Sequence, residues 1–151
     1  MSTLFVILLS AHVVLGLVGV IASFAVTFML LKRELPIASM KCASISAFLA
    51  YLLSWLAGGW YYWKYYGTAV KPAIMGGDFK WAHLIFMEAK EHVFLFLPFA
   101  TACLALIIWL GHDKLTTDPV FKTRTMFLAL MITILAIIVT LSGVLITGGA
   151  R

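Results

Sequence analysis

An all-α fold is predicted: one integral membrane domain over residues 1–151, an antiparallel four-helix bundle with both termini on the same side. Three observations carry this. Hydrophobic residues make up 64% of the chain and charged residues 11%, with a mean hydropathy of +1.08, whereas a soluble domain is about half apolar and a quarter charged. Four stretches, 1–31, 42–63, 93–112 and 125–150, contain no Asp, Glu, Lys or Arg, and about 20 apolar residues suffice to cross a bilayer as a helix. The connections between them are too short to hold a soluble domain. Composition thereby excludes a soluble enzyme, a disordered tail and a nucleic-acid-binding module, and it names the lipid bilayer as the first partner.

The first stretch has no basic leading segment and no A-x-A cleavage site, so it reads as a retained span near residues 3–31. Pro36 marks the turn into a second span near 42–66. Lys71-Pro72 and Gly76-Gly77 mark the longest connection, over 67–77, and Asp78 is placed to cap the next helix. Residues 79–91 then form the watery first turns of a third helix that spans 88–111, with Pro98 inside it as a kink. Asp118-Pro119 is a stop and restart before a fourth span over 123–147. An even number of spans puts both termini on one side, here called A.

Side A carries Lys64, Lys71, Lys80, Lys90 and Arg151, and side B carries Lys32, Arg33, Lys41, Lys114, Lys122 and Arg124. The small excess, with Lys32-Arg33 directly after the first span, makes side B cytoplasmic by the positive-inside rule, in a plasma (inner) membrane. Side A is dense in aromatic residues, from Trp60 to Tyr66 and at Trp81, as interfacial belts are. The two cysteines form neither CxxC nor CxxCH, which excludes a c-type haem attached in the usual way and a disulfide framework.

Depth can be counted from side B at about 1.5 Å per residue. His12 lies 20 residues before Lys32, and His92 lies 20 before His112. Both therefore belong to one layer at the side-A boundary, together with Tyr61 or Tyr62 and the 143–147 region. Below His12, Gly16, Gly19 and Ser23 follow on one helical stripe. That stripe suits close helix packing or a smooth wall for a flat macrocycle with His12 as axial ligand. Ser54, Gly58 and Tyr62 form a similar stripe on the second helix, and Thr133, Thr140 and Thr147 recur every seven residues on the fourth.

On the third helix Glu88 and His92 are four apart and share a face, with His83, Lys90 and Glu91 nearby. Imidazole suits iron, copper and zinc. This cluster fits a bis-imidazole haem b, a His/Glu site for copper, iron or zinc, a proton or quinone site, or an interfacial polar turn with no ligand. His12 and His92 are the candidate ligands of span one and span three, with His83 as a further metal-ligand candidate. Gly16, Gly19 and Tyr62 are candidate cofactor-lining residues. Glu88 is a metal ligand candidate or an orienting carboxylate.

Ala11-His12-Val13-Val14 with Gly16, and Trp81-Ala82-His83 at the entry to the third helix, resemble small four-helix haem-b membrane proteins. These are the membrane protoporphyrinogen oxidase type and its copper-resistance-D-like relatives. The resemblance implies a haem b held by a first-span histidine, matched here by His12, with His83 at the W-x-H position. Where that group carries a lysine soon after W-x-H, residues 84–87 are Leu-Ile-Phe-Met. The function expected is a membrane-bound redox protein with a haem b or metal centre near one membrane face. The competing class is a non-catalytic subunit packed among other membrane subunits. A small transporter is disfavoured because the bilayer midplane holds almost no polar residue.

Overall fold

A computed structural model describes residues 2–149, apart from the side chain of Phe94. Arg151, assigned to side A above, lies outside the described residues. The helices are α1 (Thr3–Leu30), α2 (Ile37–Tyr61), α3 (Lys71–Gly76), α4 (Glu88–Leu110), α5 (His112–Thr117) and α6 (Pro119–Gly149), and π-helical segments Tyr62–Val70 and Ala82–Met87 precede α3 and α4. No strand occurs among the described residues. Four continuous helical runs, Thr3–Leu30, Ile37–Gly76, Ala82–Leu110 and Pro119–Gly148, are long and apolar enough to cross a membrane, so the chain is an integral membrane protein with an all-α bundle.

Contacts run from α1 to α2, α2 to α4, α4 to α6 and α6 back to α1, which closes an antiparallel ring. Its core is a column of small and branched side chains, among them Val26, Ala47, Leu97, Leu104 and Ile132. Leu, Ile, Val and Phe residues such as Ile21, Phe99 and Leu110 stay exposed on the outer faces, where lipid is the solvent. Backbone and hydroxyl groups must find partners inside such a solvent. The buried hydroxyls of Ser23, Thr27, Thr101 and Thr133 accordingly donate to carbonyls in the preceding turn of their own helices, at 2.8–3.0 Å. Thr27 and Thr133 also meet each other at 3.2 Å and tie α1 to α6.

The side-A end departs from the expected loop. The second helix does not stop near residue 66; it continues through the π-helical segment and α3 as far as Gly76. Lys71-Pro72 does not break it; Pro72 lies at the junction where the π-helical segment passes into α3. The chain reverses at Gly77, which is extended at φ −99° and ψ −171°. Asp78 does not cap the next helix: its start has no side-chain cap bond, and the Ala82 amide donates to the Phe79 carbonyl at 2.9 Å. A helical hairpin thus forms the side-A end of the second and third helical runs. A small core of Tyr66, Ile74, Ala82 and Met87 packs there against Ile146 of α6.

At side B, Asp118 is extended and its Oδ1 accepts the Val120 and Phe121 amides at 2.8 and 3.1 Å. This is an N-cap for α6, with Pro119 as its first residue. His112 follows the end of α4 and its Nδ1 bonds the Trp109 carbonyl at 3.1 Å.

Candidate functional site

His12 is clamped between α1 and α2. Its Nδ1 lies 2.8 Å from the Ser54 carbonyl oxygen and 3.0 Å from Ser54 Oγ. A carbonyl oxygen only accepts, so a proton sits on Nδ1; in that neutral tautomer the lone pair is on Nε2. Ser54 Oγ in turn donates to the His12 carbonyl at 2.8 Å. The Nδ1 side of the ring lies against Gly58, one turn further along α2. A Cβ there would meet Nδ1 and would stand 2.7 Å from Cε1. Ser54 and Gly58 therefore act together, one orienting the imidazole and the other making room for it.

Two adjoining cavities open around this ring at the side-A end of the bundle. One, of about 390 Å³, lies between all four spanning helices and is lined by Gly16, Tyr51, Leu97, Thr140 and others. The second, of about 360 Å³, reaches up under the helical hairpin and is lined by Trp55, Gly58, Tyr62, Tyr66 and Glu91 among others. His12, Lys90, Gly143 and Thr147 line both. The layer counted from sequence thus assembles, with Tyr61, Tyr62 and the 143–147 region around one void.

The third-helix contribution differs from expectation. Lys90 faces His12 and its Nζ comes within 3.2 Å of where a Cβ on Gly143 would sit. His92 is two residues on, about 200° further round the helix. It is exposed and lines neither cavity, and its Nδ1 bonds the Glu88 carbonyl of its own helix at 2.7 Å. Glu88 is likewise exposed and outside both cavities. The Glu88–His92 face looks outward, so His12 and His92 do not share a cavity. The signal that selects Lys90 is a seven-residue step: Leu104 and Leu97 are fully buried, and the next step back along α4 is Lys90.

The small-residue stripe also divides. Gly16 lines the larger cavity, and a Cβ there would stand 3.5 Å from Ser54 Oγ. Gly19 does not line a cavity; a Cβ there would meet the Tyr51 ring at 2.5 Å. Its smallness admits Tyr51, which is fully buried and whose hydroxyl lies 3.3 Å from Ser23 Oγ. Gly19 and Ser23 are a packing seam between α1 and α2.

His83 joins neither cavity. It is buried at 3% exposure, and its Nδ1 meets the Tyr66 hydroxyl at 3.0 Å. Tyr66 stacks on Tyr62 with ring centroids 5.2 Å apart, and Tyr62 in turn faces Glu91. Two π-helical segments carry this ladder, and such wide turns are frequent at functional sites. Cys42 and Cys103 are free thiols, both exposed.

Among the described residues no group of three or more His, Cys, Asp and Glu side chains converges as metal ligands would. The donor set around the cavities is one oriented imidazole, one ammonium, one carboxylate and several hydroxyls on largely apolar walls. Comparison with protein-family models, with curated proteins and with solved structures finds no match to this chain.

Proposed function

We propose that the chain is a membrane redox protein of the plasma (inner) membrane that holds one haem b at the side-A end of its bundle, with His12 as axial ligand. The observation that carries this reading is the His12 clamp. A metal-binding histidine commonly donates its second ring N–H to a backbone carbonyl or carboxylate, which fixes tautomer and orientation. The Nδ1–H to Ser54 carbonyl bond has that form, and the same ring lines both cavities.

A copper, iron or zinc ion held by side chains alone needs three or four converging ligands, and the described residues gather no such group. A haem brings four ring nitrogens of its own and requires one imidazole. Two adjoining voids of about 390 and 360 Å³ fall in the range of cofactor sites, which are mostly apolar with a few placed polar groups. When bound, haem b supplies one-electron chemistry. The chain's residues would do the rest: Ser54 orients His12, Gly58 admits the ring, and Leu9, Trp55 and Val139 keep water from the cofactor faces.

A reduced-minus-oxidised optical spectrum of the purified protein tests this. The expected result is the alpha band of a b-type haem, absent from His12→Ala. A spectrum with no haem band after expression with ample haem supply would favour the non-catalytic subunit instead.

A further inference from the structure

Lys90 is turned into the bundle and makes no ion pair within 4.0 Å among the described residues, although Glu91 lines the second cavity with it. The one ion pair among the described residues joins His112 and Asp113 at the opposite end of the molecule. Among the described side chains lining the larger cavity, Lys90 is the one Lys, Arg, Asp or Glu. The nearest acid in sequence, Glu91, faces Tyr62 in the second cavity. Lys90 is half-buried; drawing an ammonium out of water without an anion is costly, and an ionisable group at membrane depth marks a ligand or ion path by default.

A lysine at a helix end can escape that cost by snorkelling to the headgroups. Lys90 does the opposite. It occupies the inward heptad position below Leu97, and its Nζ is turned towards α6, within 3.2 Å of the Cβ position of Gly143. Gly143 has no side chain to block the ammonium from the void that it shares with His12.

We propose that Lys90 is the anchor for a carboxylate carried on the apolar body of the cavity's occupant. In the haem reading, on which this form of the proposal rests, the carboxylate is a haem propionate. A long-chain fatty acid presents the same chemistry from a second source. The walls suit such a molecule: Leu9, Val13, Leu97 and Val139 surround an apolar body, and one cation lies beside them. Charge-assisted bonds of this kind are the strong ones.

The test uses the full-length chain in lipid nanodiscs, stripped of endogenous ligand. Equilibrium affinities are measured for haem and its dimethyl ester, and for a long-chain fatty acid and its methyl ester. The wild type is expected to bind haem roughly tenfold more tightly than the diester, since each tenfold is about 1.4 kcal/mol. Lys90→Met should bind the two alike, and Lys90→Arg should restore the preference. Lys90→Met replaces a charge by an apolar side chain of similar length, so it should melt no lower than the wild type. Haem bound with an undiminished acid preference in Lys90→Met would overturn the proposal and leave the haem reading intact. Absence of haem binding, with a Lys90-dependent preference for the fatty acid over its ester, would overturn the haem reading and uphold the carboxylate anchor. No acid preference with either pair would overturn the anchor.

Discussion

Alanine at position 58 places one methyl group where the His12 ring now lies. The added carbon would touch Nδ1 and stand 2.7 Å from Cε1 and 3.0 Å from Cγ. Carbon contacts settle near 3.5–4.0 Å, so the ring must retreat by roughly 1 Å. That movement stretches or breaks the 2.8 Å bond from Nδ1 to the Ser54 carbonyl. Overpacking costs about 1–3 kcal/mol, and the lost hydrogen bond about 0.5–1.5 kcal/mol. Alanine recovers about 1 kcal/mol of helix propensity, which leaves a net destabilisation of about 1–3 kcal/mol. Loss of an orienting partner typically weakens metal affinity about 10–100-fold, and the same loss is expected for haem. Gly59→Ala is the matched control, because a Cβ there has nothing within 4 Å. It should be neutral or stabilising by up to about 1 kcal/mol. Thermal unfolding in detergent and a haem titration read both quantities. If Gly58→Ala and Gly59→Ala behave alike in both assays, the His12 clamp is not what holds the site.

Three further outcomes follow from the packing. Gly19→Ala drives a methyl into the fully buried Tyr51 ring at 2.5 Å and should lower stability by up to about 2 kcal/mol after the propensity gain; a raised melting temperature would show that Tyr51 repacks freely. Tyr66→Phe leaves the buried His83 Nδ1 without its hydroxyl partner and should cost about 1–3 kcal/mol, whereas the exposed Trp63→Phe should cost little on the same thermal scale. Single cysteines at Ser2 and Gly148, in a background with Cys42 and Cys103 replaced, should react with an impermeant thiol reagent from the same face; labelling from opposite faces would exclude an even number of spans.

Much of the architecture was legible because lipid imposes one simple condition. Uncharged runs must be spanning helices when backbone groups have no water to turn to, and Asp118-Pro119 announced a restart through cap chemistry that is purely local. The side-A hairpin was not legible for the opposite reason. Lys71-Pro72 and Gly76-Gly77 carry turn chemistry, yet the helix runs on through Pro72 at the junction with α3, and the small core of Tyr66, Ile74 and Ile146 is tertiary. Within the site, depth counting brought His12, Tyr62 and the 143–147 region into one layer because rise per residue is nearly constant. Azimuth was harder to read. Two ionisable residues two positions apart, Lys90 and His92, point to opposite sides of α4, and ligand chemistry alone favours the histidine. The seven-residue step from Leu104 through Leu97 selects Lys90 instead. The Ser54–Gly58–Tyr62 stripe was visible as a spacing, but its use against His12 depends on the rotation of α1 relative to α2.

Haem content per chain in three proteins tests the central claim most directly: the wild type, His12→Ala and His92→Ala, each purified after expression with excess haem precursor and quantified by absorbance. The account predicts close to one haem in the wild type and in His92→Ala, and essentially none in His12→Ala. Equal loss in both variants would contradict the placement of His92 outside the cavities, and haem retained in His12→Ala would contradict the assignment of His12 as the ligand.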